Sequence, residues 1–196
     1  MHQTYIYNST MKKIILIGLI ALSTINCKAQ IIAVENYNNY NNDLQDGAYI
    51  KDINNVLGKY VGTWKGSYNN KNYEFRIIKH TFDNTKLKYK EDLLLIRYKI
   101  TDINNSVIED TTSLLNDSPF VINGDYYNSN GTYVLTYLGK DYKCGQNGNL
   151  YISVFGNTLS KMRLGFYVDG DISVDCQNGV AQQILPTSGG MELTKQ

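Results

Sequence analysis

The stretch Tyr73-Glu74-Phe75-Arg76-Ile77 alternates between apolar and charged side chains at every position. Such a period of two is typical of a β-strand that has one face in a core and the other in water. The stretch Ile96-Arg97-Tyr98-Lys99-Ile100-Thr101 repeats the pattern, with Arg97, Lys99 and Thr101 on the polar face. Both stretches therefore predict strands.

Further runs of strand-like sequence follow at near-regular spacing, at 107–111, 121–127, 132–138, 150–155, 161–168 and 191–194. The residues between them are rich in Asn, Asp and Gly, as in Asn128-Ser129-Asn130-Gly131, and favour tight hairpin turns. No segment between strands is long and periodic enough for a crossover helix, which argues against a parallel α/β sheet. We predict an all-β fold, an antiparallel meander of about eight to nine strands that closes into a barrel or folds into a β-sandwich.

The chain begins with a segment that is typical of a secretory leader. Met11-Lys12-Lys13 is cationic, and the apolar run 14–22 that follows is shorter than the about 20 residues of a membrane span. We predict that residues 1–29 are an N-terminal extension and a signal peptide, with translation starting at Met1 or at Met11. This implies export, to the periplasm, to the outer membrane as a lipoprotein, or into the medium.

Two ways of removing the leader fit the sequence. The segment 22–27 resembles a bacterial lipobox, in which Cys27 carries the lipid, although Asn26 stands where a small residue is usual. Cleavage by an ordinary signal peptidase after Ala29 is the alternative, and it leaves Gln30 first. A lipid on Cys27 is the only membrane contact that the sequence predicts.

Two regions follow the leader. Residues 30–47 contain an Asn- and Tyr-rich run without a period and predict a tether, and residues 48–196 predict the β-barrel domain. Near the start of that domain Tyr49 and Ile53 stand at helical spacing, and Gly58 suits a left-handed helix cap. We therefore expect one short helix, ending at Gly58, before the strands.

Composition and charge exclude several classes of function. The chain of 196 residues has a formal net charge of +1, and phosphate binding needs clustered Lys and Arg, so no nucleic-acid partner is expected. Of its two His residues, His2 precedes the leader and His80 has no recognisable partner in the sequence. Without a Gly-x-Ser-x-Gly motif or a phosphate-binding glycine loop, we predict no catalytic residue and no cofactor. An enzyme built on carboxylates alone stays open, because only the fold brings two acids together.

Aspartates in the segment 169–175 are spaced as in the first half of a calcium loop. The calcium loop of EF-hands needs Gly at its sixth place and Glu at its twelfth, which here hold Val174 and Val180. We therefore predict a hairpin turn followed by a strand and no metal site.

The chain has three cysteines. Cys27 belongs to the leader or its processing, so Cys144 and Cys176 remain as one pair in a compartment where disulfides persist. We predict a disulfide between them, and two free buried thiols are the alternative.

Two resemblances to known proteins rest on short motifs. Gly62-Thr63-Trp64 resembles the first strand of lipocalin-like barrels, in which Gly62 and Trp64 would form the Gly-x-Trp that closes one end of the barrel. The chain also resembles an uncharacterised family of exported proteins from Bacteroidota, with a domain of unknown function of lipocalin-like flavour. This second resemblance implies export and a β-domain but supplies no activity. It is carried by Asn26-Cys27-Lys28-Ala29-Gln30, Val61-Gly62-Thr63-Trp64, Pro119-Phe120-Val121, Gly124-Asp125-Tyr126, Cys144-Gly145-Gln146, 179–186 and 191–196.

Tyrosine is the most informative residue type for function, at 17 Tyr against five Phe. Tyr98, Tyr133 and Tyr137 alternate with the core pattern, and inward Tyr side chains in a barrel offer a ligand an apolar face and a hydroxyl. The alternative is that they fill a solid core. The tyrosines outside the core pattern are Tyr37, Tyr40, Tyr126 and Tyr127.

These observations favour a non-enzymatic, exported protein that binds a small apolar or amphipathic ligand in a lipocalin-like barrel. The alternative is a structural or interaction module of the cell envelope that contacts a protein or a glycan. Asp110-Thr111-Thr112 also resembles the short O-glycosylation motif of the Bacteroidota.

Overall fold

The computed structural model describes residues 29–177 and 179–196, and in this part of the chain eleven strands, one short helix and one 3-10 turn are formed. The strands are β1 (Ile31–Ala33), β2 (Tyr49–Lys51), β3 (Gly62–Tyr68), β4 (Lys71–Asn84), β5 (Tyr89–Asp102), β6 (Val107–Asp110), β7 (Ile122–Tyr127), β8 (Tyr133–Leu138), β9 (Asn147–Phe155), β10 (Lys161–Val168) and β11 (Met191–Lys195). Helix α1 spans Val34–Tyr37, and the 3-10 turn spans Gly58–Tyr60.

Eight of these strands close into an antiparallel barrel. Their order is β5-β4-β3-β11-β10-β9-β8-β7, and β7 pairs back with β5. From β3 to β5 and from β7 to β11, strands that follow each other in the chain are therefore neighbours in the barrel, and β6 pairs with β5 outside it. Two further strands extend the sheet, since β1 pairs with β2 and β2 pairs with β5, both in parallel. The prediction of an all-β, lipocalin-like barrel is confirmed.

Side chains fill the barrel interior. Alternate positions of β5, such as Leu94, Ile96 and Tyr98, point inward and are fully buried. Aromatic rings contact each other across the core: the ring centre of Tyr137 lies 6.2 Å from that of Tyr98 and 5.2 Å from that of Phe166. Much of the tyrosine excess is thus used in packing. Other large, fully buried side chains are Trp64, Tyr60, Tyr133 and Phe75.

Trp64 lies at one end of the barrel, against the 3-10 turn. Its indole Nε1 donates a hydrogen bond to the carbonyl of Tyr60 at 2.7 Å. The ammonium of Lys195, in the last strand, lies 5.2 Å from the Trp64 ring centre and 3.3 Å from the carbonyl oxygen of Lys59. These contacts join the 3-10 turn to β3 and β11.

The short helix expected to end at Gly58 is misplaced. Residues 48–58 form β2 and a loop, and the helical turn begins where the predicted helix ends. The Asp52 backbone N–H donates to the Asp92 carboxylate at 3.0 Å, while the Asp52 carboxylate accepts the Leu57 N–H at 3.4 Å. These contacts hold the loop against the barrel and override the local helical spacing.

Part of the Asn- and Tyr-rich segment 30–47 packs against the barrel. It contributes β1 and α1, and Ile32 and Val34 are buried. The predicted leader, including Cys27, lies outside the described residues except for Ala29. Within the described ranges no helix is long and apolar enough to cross a membrane.

Cys144 and Cys176 lie at disulfide-bonding distance, with Sγ atoms 2.10 Å apart, which supports the predicted pair. Cys144 also forms an isolated β-bridge with Ile172. The pair therefore fastens the turn after β8 to the long connection between β10 and β11.

A buried network around Asp92 ties β2 and the following loop to the β4–β5 hairpin. Its carboxylate accepts hydrogen bonds from the Tyr49 hydroxyl at 2.8 Å, the Thr81 hydroxyl at 2.7 Å and the Asp52 N–H at 3.0 Å. The Lys79 ammonium lies 3.1 Å from the Asp52 carboxylate. Burial acts to raise the pKa of Asp92, but the hydrogen bonds and Lys79 outweigh it, so the pKa lies below its usual value.

We predict that Asp92→Asn lowers the free energy of unfolding by about 1–3 kcal/mol at pH 7, because an amide nitrogen cannot accept these bonds. Since folding lowers the pKa of Asp92, its stabilisation is complete above the unfolded-state pKa and is lost as the pH falls through the folded-state value. The difference between variant and wild type should therefore shrink below about pH 4 in urea unfolding.

The matched control is Asp83→Asn, because Asp83 lies on the same hairpin but is exposed, 3.2 Å from the Lys90 ammonium. This substitution should lower the free energy of unfolding by less than about 1 kcal/mol. A loss at Asp92 that is equal at pH 7 and pH 3 would show that the carboxylate charge is irrelevant.

Candidate functional site

A groove of 650 Å³ lies on the outside of the barrel beside the β4–β5 hairpin. Its floor includes Leu93 and Leu95 of β5, and its walls come from α1, β7 and residues 116–119 of the loop before β7. The volume is within the range of about 300–1,000 Å³ that is usual for small-molecule sites.

Alternation along β4 and β5 places the groove side chains on the outer face. Because Leu94 points into the core, its neighbour Leu93 and the residue Glu91 face outward. On β4 the cross-strand partners share this face: His80 pairs with Leu93, and Phe82 pairs with Glu91. The inner face of the β4–β5 pair thus belongs to the barrel core, and its outer face belongs to the groove.

A β-bulge in β7 presents Asp125 to the groove. The β7–β8 register passes from Gly124 opposite Leu135 to Tyr126 opposite Val134, which leaves Asp125 as the extra residue. Bulges of this kind turn a side chain away from the regular sheet and are frequent beside functional sites. Asp125 lines both this groove and an adjoining one of 310 Å³.

Gly124 lets β7 approach β5 closely. A Cβ at this position would lie 2.9 Å from the carbonyl oxygen and 3.0 Å from the nitrogen of Leu94, and 2.2 Å from the Tyr133 hydroxyl oxygen. That hydroxyl also accepts the Leu94 N–H at 3.3 Å. Any side chain here would push apart the two strands that form the inner wall of the groove.

Arg97 holds the loop before β7 in place over β5. Its Nε donates a hydrogen bond to the carbonyl of Leu114 at 2.8 Å, and its guanidinium also donates to the Asn116 side chain. Leu114 packs with Val121 against the outer apolar residues of β5. The Asn116 side-chain nitrogen in turn lies 3.5 Å from Nδ1 of His80, so the loop closes one side of the groove.

Aromatic rings and carboxylates share the groove. The aromatic residues are Tyr37, Phe82 and Tyr89. The acidic residues are Glu91, Asp117 and Asp125. Among the described residues that line the groove there is no Lys or Arg, so the site combines apolar surface with negative charge.

Burial and the nearby acids shift the pKa values of Glu91, Asp125 and Tyr37 in the groove. Burial, with the nearby carboxylates of Asp125 and Asp92, raises the pKa of Glu91 to about 7. Burial also raises the pKa of Asp125. The pKa of the Tyr37 hydroxyl is raised by burial and then by Glu91, Tyr89 and Asp125, which shows that these groups influence one another.

The three tyrosines proposed as ligand-binding residues lie in the core. Tyr98, Tyr133 and Tyr137 are each 0% exposed. The Tyr98 hydroxyl donates a hydrogen bond to the buried Glu109 carboxylate. A ligand that contacted them would have to displace core side chains, so the structure gives them a packing role.

The groove residues are absent from the predicted sites, although one signal pointed to them. Tyr37, Tyr40 and Tyr126 do not follow the core pattern, and all three line the smaller groove. Tyr37 lines the larger one as well, together with His80, which has no recognisable partner in the sequence. Three of the four tyrosines outside the alternation therefore lie at the surface grooves, whereas Tyr127 contacts Lys59 instead.

Two other sequence motifs take structural roles. Thr111, in the glycosylation-like motif, is 3% exposed, and its hydroxyl accepts the Tyr98 N–H at 2.8 Å, so it is inaccessible in the folded protein. Asp175, in the calcium-loop-like segment, lies 3.2 Å from the Lys143 ammonium. In residues 29–177 and 179–196, no group of three or more His, Cys, Asp or Glu side chains is placed to hold a metal ion.

We predict that Glu91→Gln stabilises the protein at alkaline pH. Because folding raises the pKa of Glu91 from 4.5 to about 7, the folded state keeps a proton that the unfolded chain has lost. Wild-type stability should therefore fall as the pH rises from about 4.5 to about 7 through this group. At pH 8 the variant should be more stable than wild type by on the order of 1–3 kcal/mol, and at pH 4.5 nearly equal to it.

Urea unfolding at the two pH values measures this effect. Glu192→Gln is the control, because Glu192 is an exposed acid on β11, 2.9 Å from the Lys161 ammonium, and should show no such gain. A Glu91→Gln variant that is no more stable than wild type at pH 8 would contradict the prediction.

Comparison with known proteins gives a family and no activity. No curated protein and no solved structure matches the chain. A family of unknown function, DUF6705, matches residues 11–164, a range that contains every element lining the groove, whereas β11 lies beyond it. Because the match spans most of the chain, the protein belongs to this family of unknown function, DUF6705.

Proposed function

We propose that this protein is an exported, non-enzymatic binding protein whose small apolar or amphipathic ligand lies in the groove outside the barrel. The observation that carries the proposal is a groove of 650 Å³ with an apolar floor, beside a barrel interior occupied by buried side chains. A ligand site of this kind combines hydrophobic contact with a few polar groups that orient the ligand.

The groove offers both parts of such a site. Phe82, which is 44% exposed, supplies apolar surface, and Leu93 and Leu95 form a largely buried floor at 8% and 1% exposure. Tyr37 and Tyr89 add rings with hydroxyl groups at the rim. An amphipathic molecule could therefore place its apolar part against Phe82 on the β4–β5 hairpin and keep its polar part near β7.

Export is supported by the leader-like sequence and by the cysteine pair. Disulfides persist in oxidising compartments, and Cys144 and Cys176 lie at bonding distance. The non-enzymatic assignment rests on the sequence, where no nucleophile–base motif was recognised.

We predict that the mature chain binds a neutral fluorescent probe, N-phenyl-1-naphthylamine, saturably and that Phe82→Ala weakens this binding. Loss of the exposed ring removes about 1–2 kcal/mol of apolar contact, a factor of about 5 to 30 in affinity. Fluorescence titration measures both proteins.

Phe155→Ala is the matched control, because Phe155 is 39% exposed and lies on β9, away from the groove. Its affinity for the probe should equal that of wild type. Equal losses in both variants would place the probe elsewhere. No saturable binding, together with reproducible co-purification of one envelope protein or glycan, would favour the alternative of a structural or interaction module.

The groove also favours one second candidate function, a hydrolase built on carboxylates. Glu91 and Asp125 line it together, and a carboxyl group with a pKa near 7 can donate a proton at neutral pH. Turnover of chromogenic glycosides that Glu91→Gln abolishes would select this function. Probe binding without turnover would select the binding protein.

A further inference from the structure

Glu91 and Asp125 in the groove differ in their partners from several acids elsewhere on the barrel. On the barrel surface Glu74, Asp110 and Glu192 each lie within 3.4 Å of a Lys ammonium. Within the described residues, Glu91 and Asp125 have no such cation and no hydrogen-bond donor. Burial raises the pKa of Asp125, and burial together with Asp125 and Asp92 raises that of Glu91. The protein thus keeps the half-buried carboxylate of Glu91, and beside it in the groove the exposed carboxylate of Asp125, without a compensating cation.

Such an arrangement costs free energy in the empty protein. A carboxylate that is partly removed from water and close to a second one is disfavoured unless a positive charge compensates it. The adjacent residue Asp92 shows the contrast, because it points to the other face of β5 and three hydrogen bonds satisfy it. The groove therefore carries negative charge that no Lys or Arg among its described lining residues neutralises.

The aromatic residues of the groove complement the same kind of ligand. The faces of Tyr and Phe rings attract organic cations, and Phe82 pairs across the strands with Glu91. Tyr37 lies close enough to Glu91 and Asp125 for both to raise the pKa of its hydroxyl. Rings and carboxylates thus line the same groove as the apolar floor at Leu93 and Leu95.

We propose that the groove selects small organic cations, in which an amine or quaternary ammonium group lies between Glu91 and Asp125 and an apolar chain lies against Phe82 and Leu93. This inference rests on the proposed binding function and names the ligand class of that site. Each part of the ligand meets a complementary surface: the charge meets two uncompensated carboxylates, and the chain meets the exposed ring of Phe82 and the apolar floor beside it.

A series of probes with the same chain and different head groups tests the inference. Isothermal titration of the mature protein at pH 8 would compare n-octyltrimethylammonium, n-octanol and n-octanoate. The cation should bind about 10-fold more tightly than the alcohol, and the anion most weakly, because only the cation gains from the carboxylates. Added salt should reduce the advantage of the cation and leave the alcohol unaffected.

Two variants assign the preference to the proposed residues. Glu91→Gln and Asp125→Asn should each lower affinity for the cation several-fold and leave affinity for the alcohol unchanged. Glu192→Gln, an exposed acid on β11, should change neither, whereas Phe82→Ala should weaken both. Thermal unfolding of each variant confirms that it is folded.

The outcomes separate this inference from the proposed function. Equal binding of cation and alcohol would overturn the charge selectivity and leave the ligand-binding groove standing. A cation preference that survives in both acid variants would overturn the assignment to Glu91 and Asp125. If none of the three probes binds saturably, the proposed function itself fails.

Discussion

The close approach of β7 to β5 is the constraint on which the rest of the structure depends. A barrel closes only if the strands at the two ends of its sheet pair with each other. Here those strands are β5 and β7, which pair at just two positions, Leu95 with Asn123 and Ile96 with Ile122. Gly124 makes the approach possible, because its backbone lies directly against that of Leu94. Immediately after this contact β7 bulges at Asp125, and the wall of the groove begins.

The short pairing leaves much of the long edge of β5 free, and other segments cover it. β2 pairs at Tyr49 and Ile50 near one end, and β6 pairs with Lys99–Thr101 near the other. The groove lies next to the stretch between the β2 pairing and β7, where the edge is covered by side chains and the loop before β7. An unpaired edge favours association with other chains, so these coverings also protect the sheet.

Two neighbouring acids show how strand alternation separates stability from function. Asp92 points inward and connects β2, its loop and β4 through hydrogen bonds, whereas Glu91 points outward into the groove without such partners. One residue of displacement along β5 would exchange these environments. The register of the β4–β5 hairpin, which spans 14 residues on each strand, therefore fixes both the stability of the loop and the charge of the site.

The alternation of apolar and polar residues within short segments predicts the barrel well and the groove poorly, for a physical reason. The predicted strand 161–168 coincides with β10, and 121–127 differs from β7 by one residue, because alternation and turn residues act within a few positions. The helix expected to end at Gly58 was misplaced, since contacts with Asp92, far along the chain, decide that region. The groove is formed by α1, both strands of the β4–β5 hairpin, a loop and a bulge. These elements come from separate parts of the chain, so no local sequence period predicts that they lie together. Only tyrosines that break the core pattern, such as Tyr37, indicate the groove, because the alternation that places other tyrosines in the core does not account for them.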